Sequence, residues 1–202
     1  KDTDPSAKGI KSGNGTLTIH GGSITVNSAD DALHSNSNLS IFGGTLTLAS
    51  GDDGVHADYT LTLGTENGDD SLIDLTVTDS YEGFEGAYII GLSGNYDVYS
   101  DDDCINAANG DLAGYDFKLR IFGGNFVCHG RIGDGIDSNG ALTIAGGTVE
   151  VYAPGNANAA LDSDGALNLV GGTTLAVGQS EMAQTPNSGV YVLFGSGGGG
   201  WW

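Results

Sequence analysis

The sequence is poor in cationic residues and has no long apolar run. Only 6 of its 202 residues are Lys or Arg, against 26 Asp and Glu, and the formal net charge is −20. Binding to nucleic acid or to an anionic membrane depends on Lys and Arg meeting phosphate, so the charge argues against both functions. No segment approaches the roughly 20 apolar residues of a transmembrane helix.

Proline, cysteine and methionine are also scarce. The 3 Pro and 36 Gly indicate many tight turns rather than a Pro-rich linker. Cys104 and Cys128 are the two cysteines, and the sequence does not decide whether they pair. The chain begins at Lys1 without an initiator Met or a signal peptide, as we expect of a processed protein that is secreted or displayed on the cell surface.

What the sequence does contain is a recurring acidic phrase. It reads Asp30-Asp31-Ala32-Leu33-His34 and returns as Asp52-Asp53-Gly54-Val55-His56. Each copy is followed by a strand-like segment of alternating apolar and Thr or Ser residues, then Gly-Gly, then another such segment. This repetition predicts a solenoid. Further copies lie at 102–106 and 134–139, with weaker ones at 82–85 and 160–164.

The spacing of the copies predicts the architecture. The apolar residue at the centre of each copy recurs about every 22 residues, with two longer gaps that we interpret as insertions near 67–71 and 109–116. A β-sandwich also has short, evenly spaced strands, but the strict register favours an all-β fold built as a single parallel β-helix of about seven coils. We expect this domain to span residues 1–178, followed by a C-terminal strand and Gly-rich tail at 179–202. The central residues are Ile10, Leu33, Val55, Phe84, Ile105, Ile136 and Leu161.

Stacking the coils on these central residues aligns acidic side chains at one corner. Neighbouring coils lie roughly 4.8 Å apart, where two carboxylates repel by about 3.5 kcal/mol at an effective dielectric near 20. Several cations are therefore expected between the coils, and Ca²⁺, with its 6–8 oxygen ligands, suits the site. The predicted ligands are Asp30, Asp31, Asp52, Asp53, Asp58, Glu82, Glu85, Asp102, Asp103, Asn106, Asp134, Asp137, Asp162 and Asp164, with His34, Asn36, His56 and Asn139 as possible participants.

Two features of the corner leave room for other interpretations. Stacked His34 and His56 are possible zinc ligands, although the surrounding carboxylates and amides favour a hard ion and a hydrogen-bonding role for the histidines. In the first coil, Lys8 and Lys11 occupy acidic positions and are predicted to cap the ladder with fixed positive charge. A basic first coil and an acidic last coil would complement each other in a head-to-tail stack.

The phrases DDALHSNSNLSIFGGTLTL, DDGVHAD and DGIDSNGALTIAGGTVEV resemble a family of secreted bacterial carbohydrate-binding domain proteins. The resemblance covers roughly residues 8–178. It implies a right-handed parallel β-helix related in fold to pectate lyases, and calcium-dependent binding of cellulose or acidic pectin-type polymers. It also implies calcium at Asp31, Asp53, Asp103, Asp134 and Asp137.

Three functions remain open. The main hypothesis is a non-catalytic, extracellular, calcium-stabilised structural protein that stacks into a fibre, because no amphipathic capping helix is evident at either end. The alternative is a calcium-dependent polysaccharide binder, for which Tyr59, Tyr81, Tyr88, Tyr96 and Tyr99 would offer stacking surfaces. A pectate-lyase-like enzyme is less favoured, since Lys118, Arg120 and Arg131 are the few candidate bases and each is expected to pair with surface acids. Self-assembly is assigned to Val190, Tyr191, Val192, Leu193, Phe194, Trp201 and Trp202.

Overall fold

The computed structural model describes residues 7–155 and 158–190. The assembly residues proposed at Tyr191, Val192, Leu193, Phe194, Trp201 and Trp202 lie outside this part of the chain. Val190 lies inside it and is 98% exposed. None of the described residues belongs to a helix that is long and apolar enough to cross a membrane.

The described residues form seventeen β-strands, two single 3-10 turns (Asp70–Leu72 and Ser180–Met182) and no α-helix. The strands are short because each runs only from one corner of the repeat to the next. They are β1 (Ile10–Ser12), β2 (Leu17–Ile19), β3 (Ser23–Ser28), β4 (Leu33–Ser35), β5 (Leu39–Ile41), β6 (Gly44–Ser50), β7 (Val55–Leu63), β8 (Ile73–Asp79), β9 (Phe84–Gly91), β10 (Asn95–Ser100), β11 (Ile105–Ala107), β12 (Lys118–Ile121), β13 (Asn125–Gly130), β14 (Ile136–Ser138), β15 (Ala141–Tyr152), β16 (Leu167–Val177) and β17 (Ser188–Gly189).

All strands belong to one curled parallel sheet in which each strand pairs with its equivalents in neighbouring repeats. One stack of strands carries the acidic phrases and runs from β1 through β4, β7, β9 and β11 to β14. A second stack runs from β2 and β5 toward β15 and β16, and a third from β3 and β6 through β8, β10 and β13. The all-β, parallel and solenoid-like character predicted from the sequence is confirmed.

The hydrophobic core lies inside these stacks, where alternate strand residues point inward. The central residues of successive acidic phrases are Cα partners, from Ile10 opposite Leu33 to Ile136 opposite Leu161. Those from Leu33 to Ile136 are at most 1% exposed, as are most inward residues of the other two stacks. The same apolar position therefore builds the core once per repeat, which fixes the register of every polar residue beside it.

The Gly-Gly pairs mark a second corner, but they do not always end a strand. They separate β2 from β3 and β12 from β13, as expected, whereas β15 and β16 run straight through Gly146-Gly147 and Gly171-Gly172. β15 absorbs the corner through register shifts against β16. Gly147 has φ +76°, and a Cβ there would lie 2.3 Å from the Gly124 carbonyl oxygen. The backbone therefore turns without breaking hydrogen bonding because neighbouring repeats approach closely at glycine.

Both predicted insertions are confirmed. Residues 64–72 hold only the first 3-10 turn, and residues 108–117 hold no strand. Beyond the last full repeat the chain keeps winding in the same direction, and β17 pairs in parallel with Asn168 and Leu169 of β16. Cys104 and Cys128 are both buried and free.

Candidate functional site: the acidic corner

The acidic corner comprises the residues two places before, one after and three after each central apolar residue. The register places Lys11, His34, His56, Glu85, Asn106 and Asp137 opposite one another in successive repeats. The sequence-predicted residues are therefore brought together on one edge of the fold. Their neighbours differ between the two halves of the chain, and so does their chemistry.

In the first half, the protein supplies its own cations. Lys8 Nζ lies 2.8 Å from Asp30 and 2.5 Å from Asp31, and His34 Nδ1 lies 2.6 Å from the same oxygen of Asp31. Burial disfavours the charged forms of Lys8 and Asp31, but these contacts outweigh it, raising the pKa of Lys8 and lowering that of Asp31. Lys8 therefore lies against the acids of the next repeat, while Lys11 is exposed opposite His34, and their role as a cap of the ladder stays a prediction.

His56 continues this pattern one repeat later. Its Nδ1 lies 2.7 Å from Asp53 and 2.6 Å from Glu85, and its Nε2 lies 3.1 Å from Asp58. Burial alone would lower the pKa of His56, but the hydrogen bonds to Asp53 and Glu85 raise it to about 11. The imidazolium therefore acts as a fixed cation. Burial and the nearby Glu85 raise the pKa of Asp53, because one imidazolium serves two carboxylates.

The two histidines do not form a shared zinc site in this arrangement. Their rings stack at 4.7 Å with planes only 12° apart. The lone pairs of an imidazole lie in its ring plane, so those of two parallel rings do not converge on one ion at about 2.1 Å. Hydrogen bonding to carboxylates, the alternative raised by the sequence, is what the structure shows.

In the second half of the acidic corner, carboxylates lie next to one another without a cation from the described residues between them. Asp134, Asp137 and Asp162 each place an oxygen within 4.8 Å of the others. Burial, and then neighbouring carboxylates, raise the pKa of Asp137 to about 6 and that of Asp134 above its usual range. Burial raises the pKa of Asp103 to about 7 despite a hydrogen bond from the Asp134 amide. Among the described residues, no Lys, Arg or His lies within ion-pair distance of these four acids.

Asn106 joins the two halves. Its Nδ2 donates to Glu82 at 3.1 Å, and its buried Oδ1 has no hydrogen-bond partner within the described residues. Burial and the charges of Asp53 and Glu85 raise the pKa of Glu82 to about 9. A buried carbonyl oxygen beside ionisable carboxylates is a typical hard-cation ligand. The oxygen-only donor set of the second half therefore fits Ca²⁺, whereas the first half already contains its counter-ions.

The remaining predicted ligands lie at the rim. Asp30, Asp31 and Asp52 form a further close group, which Lys8 contacts through Asp30 and Asp31. Asn36 donates to Asp58 at 3.4 Å. Asn139 and Asp164 are exposed, and Asp102 accepts a hydrogen bond from Tyr81, which raises the pKa of that phenol to about 12. Asp162, in the acidic last coil, is contacted by Gln184 of the segment that follows β16.

The tyrosines expected to stack on sugars are only partly available. Tyr96 is 2% exposed, donates to the Ser93 carbonyl and stacks on Phe126, so it belongs to the core and that prediction is wrong. Tyr59, Tyr81 and Tyr99 are 42–50% exposed. The face of Tyr99 is covered by His129, whose ring lies 4.3 Å away.

Two of the three candidate bases for a lyase pair with acids, as expected, and the third does not. Lys118 pairs with Asp116 and Arg131 with Asp101. The Arg120 guanidinium lies over the Tyr88 ring at 5.9 Å. None of these contacts reaches the acid group around Asp137.

Sequence reasoning missed a second surface, at the Gly-Gly corner. A groove of about 480 Å³ is lined there by His20, Phe42, Gly64, Glu66 and Leu92, among others. The signal was present, because the residue just before Gly-Gly is large and apolar in several repeats.

Comparison with known proteins adds one finding. No curated protein and no solved structure matches the chain. A family model described as "Carbohydrate-binding domain-containing protein" matches residues 1–54. This segment contains the first acidic phrase, the first three residues of the second, and strands β1–β6.

Proposed function

We propose that the chain is a non-catalytic polysaccharide-binding protein built on a calcium-stabilised, right-handed parallel β-helix of about seven coils. The observation that carries the proposal is the match of residues 1–54 to a carbohydrate-binding family model. The later repeats continue the matched segment in unbroken parallel register. The matched unit therefore extends into a longer surface along which a polymer chain could lie.

Calcium is assigned to the second half of the acidic corner. Asp134, Asp137 and Asp162, with Asp103 and Asn106 beside them, supply oxygen ligands without a protein cation. Ca²⁺ would neutralise carboxylates that otherwise repel one another in the folded state. Lys8 and His56 already neutralise carboxylates in the first half, so we expect fewer ions than a full ladder would hold.

The protein is proposed to work outside the cell, as a secreted or surface protein. Millimolar extracellular calcium would fill sites of modest affinity there. We assign no catalytic role, because the cationic side chains that could remove a proton are paired with surface acids or a tyrosine ring.

Binding to polysaccharide is tested by co-sedimentation with insoluble cellulose and by affinity electrophoresis in gels that contain soluble β-glucan or polygalacturonate. We expect retention by at least one polymer and no release of unsaturated product, measured near 235 nm. Free migration with every polymer would refute the binding function, and appearance of the unsaturated product would refute the non-catalytic assignment.

A second candidate function, end-to-end assembly, is favoured by the two ends of the fold. In the described residues, strands β1–β3 pair with neighbours on one side only. At the opposite end β16 leaves Val170, Leu175 and Val177 44–57% exposed. Open parallel edges of this kind are templates for a second chain. Lys8 is already paired within its own chain, so backbone pairing and apolar contact, rather than Lys8, would drive such stacking.

A further inference from the structure

The second corner of the fold carries its own set of outward residues. Ile19, Ile41 and Leu63 are in register, and the residues that follow them are therefore equivalent from repeat to repeat. Backbone hydrogen bonds fix this alignment, since Phe42, Gly64, Leu92 and Phe122 each donate to the carbonyl of the preceding repeat. We call the residues at this position the Gly-Gly-corner row. They are His20, Phe42, Gly64, Leu92, Phe122 and Ala145.

Gly64 makes a gap in this row. Large side chains stand on both sides of it, Phe42 in the preceding repeat and Leu92 in the following one. Gly64 has φ +89°, and a Cβ there would lie 2.2 Å from the Ser93 carbonyl oxygen, so no larger residue fits without a backbone shift. The insertion at 64–72 begins at this residue and adds Thr65 and Glu66 to the rim. The backbone conformation therefore requires glycine at this position and so maintains the gap.

The groove has the mixed lining that small-ligand sites show. Its volume is about 480 Å³, within the roughly 300–1,000 Å³ usual for such sites. Phe42, whose ring centroid lies 5.6 Å from that of His20 with the ring planes tilted by 41°, and Leu92 provide apolar walls. Thr62, Thr65 and Glu66 provide hydroxyl and carboxylate groups at the edge. An aromatic wall beside hydrogen-bonding groups suits a sugar ring, which has apolar C–H faces and a polar rim.

The negative charge of the protein and of the groove favours a neutral sugar over a uronate. The molecule carries a net charge of −20, and Glu66 adds a carboxylate at the groove itself. A uronate would meet repulsion from both, whereas a neutral sugar would offer hydroxyls that donate to Glu66. Phe42 and His20 also lie within the segment that matches the carbohydrate-binding family model.

We propose, building on the polysaccharide-binding function above, that this groove binds one ring of a neutral, cellulose-type polysaccharide on the face of Phe42. Neighbouring repeats lie roughly 4.8 Å apart, so a chain lying along the row would pass further apolar residues. Calcium at the acidic corner takes no part in this contact. Neutral and acidic polymers would therefore bind at two different surfaces of the molecule, and a variant of one surface should leave binding at the other unchanged.

The test compares Phe42→Ala with Phe122→Ala in affinity electrophoresis through soluble neutral β-glucan and through polygalacturonate. Both phenylalanines occupy the Gly-Gly-corner row, but only Phe42 lines the groove, so Phe122→Ala is the matched control. We expect about a tenfold loss of β-glucan affinity in Phe42→Ala, corresponding to about 1.4 kcal/mol, with Phe122→Ala within twofold of wild type. Phe42→Tyr should retain binding, and Leu92→Ala should weaken it from the opposite wall.

The outcomes are distinguishable. Wild-type protein that binds neither polymer would refute the polysaccharide-binding function itself. A β-glucan affinity that is the same in wild type and in Phe42→Ala, or that falls as much in Phe122→Ala, would overturn the groove assignment alone. Retention by polygalacturonate only, abolished by EDTA, would also overturn it and move the binding surface to the acidic corner. Melting temperatures of all variants verify that each is folded.

Discussion

At the scale of single residues, His56 shows how the protein neutralises its own acids. The imidazolium lies between Asp53 and Glu85, and its raised pKa of about 11 keeps it charged at neutral pH. The equivalent residue in a later repeat is Asn106, which is neutral and offers a buried oxygen. The same position in the repeat therefore holds a cationic side chain in an early repeat and a candidate metal ligand in a later one.

Replacing His56 with Asn should convert its repeat from one neutralised by a protein cation to one that offers a metal ligand. Without calcium, the buried Asp53 and the half-buried Glu85 lose the imidazolium that lies between them, and we expect the free energy of unfolding to fall by about 3–5 kcal/mol. With calcium, the variant should recover more stability than wild type does, because the new amide oxygen and freed carboxylates form a hard-ion site. Thermal unfolding in EDTA and in calcium measures both effects. His129→Asn, at a less buried histidine, is the control, and an unchanged melting temperature of His56→Asn in EDTA would contradict the ion-pair role.

Asp137 should respond in the opposite way. Its pKa is raised to about 6 by burial and by Asp162 and Asp134, so its charge opposes folding when no cation is bound. Asp137→Asn is therefore expected to raise the melting temperature in EDTA at pH 8 and to reduce the additional gain from calcium. Asp111→Asn, in the exposed insertion, should change neither quantity. A variant that gains as much from calcium as wild type would remove Asp137 from the proposed site.

At the scale of elements, the strands and the acidic corner were predictable because one periodicity controls both. Residues at fixed offsets from Leu33 or Val55 must align once those residues stack in the core. Two features escaped prediction. The contact between Gln184 and Asp162 depends on a segment that lacks the acidic phrase. The burial of Tyr96 depends on its register opposite Leu75 and Phe126 of the neighbouring repeats, which points its side chain into the core.

The Gly-Gly corner makes a further prediction at this scale. Gly147 has a positive φ and closely approaches the backbone of the preceding repeat, so Gly147→Ala adds both backbone strain and a steric clash. We expect a loss of about 1–3 kcal/mol in the free energy of unfolding, measured by urea denaturation. Gly110→Ala is the matched control, because a Cβ at Gly110 meets nothing within 4 Å. Equal stabilities of the two variants would show that the corner tolerates a side chain.

At the scale of the whole molecule, stability should depend jointly on pH and calcium. The folded pKa of Asp103 (about 7) and of Asp137 (about 6) lies above the ordinary 3.8, so the folded state holds more protons between these values. Their stabilising contribution is present below about pH 4 and is lost as pH rises through 6–7. His56 adds a loss of the same sign between its ordinary 6.5 and about 11.

In EDTA, the melting temperature should therefore fall as pH rises from 5 to 8. Calcium binds the ionised carboxylates, so its stabilising effect should grow over the same range and offset the fall. Differential scanning calorimetry at several pH values, with magnesium as the comparison ion, tests this. A calcium effect that is as large at pH 5 as at pH 8 would argue against binding by carboxylates with raised pKa.

The exposed strand edges at the two ends of the fold determine whether the protein remains a monomer. β16 exposes Leu175 and Val177 along an edge on which, within residues 158–190, only the two-residue β17 pairs, and β1–β3 present the opposite edge. If the edges join, a charge at Leu175 must disrupt the contact, because an ammonium would be buried against an apolar strand. We expect wild-type protein in calcium to sediment as elongated multimers and Leu175→Lys as monomers. Ile132→Lys, at a residue 68% exposed in the turn between β13 and β14, should assemble like wild type. Wild-type protein that remains monomeric at high concentration, in both sedimentation and electron microscopy, would restrict the function to polysaccharide binding by single molecules.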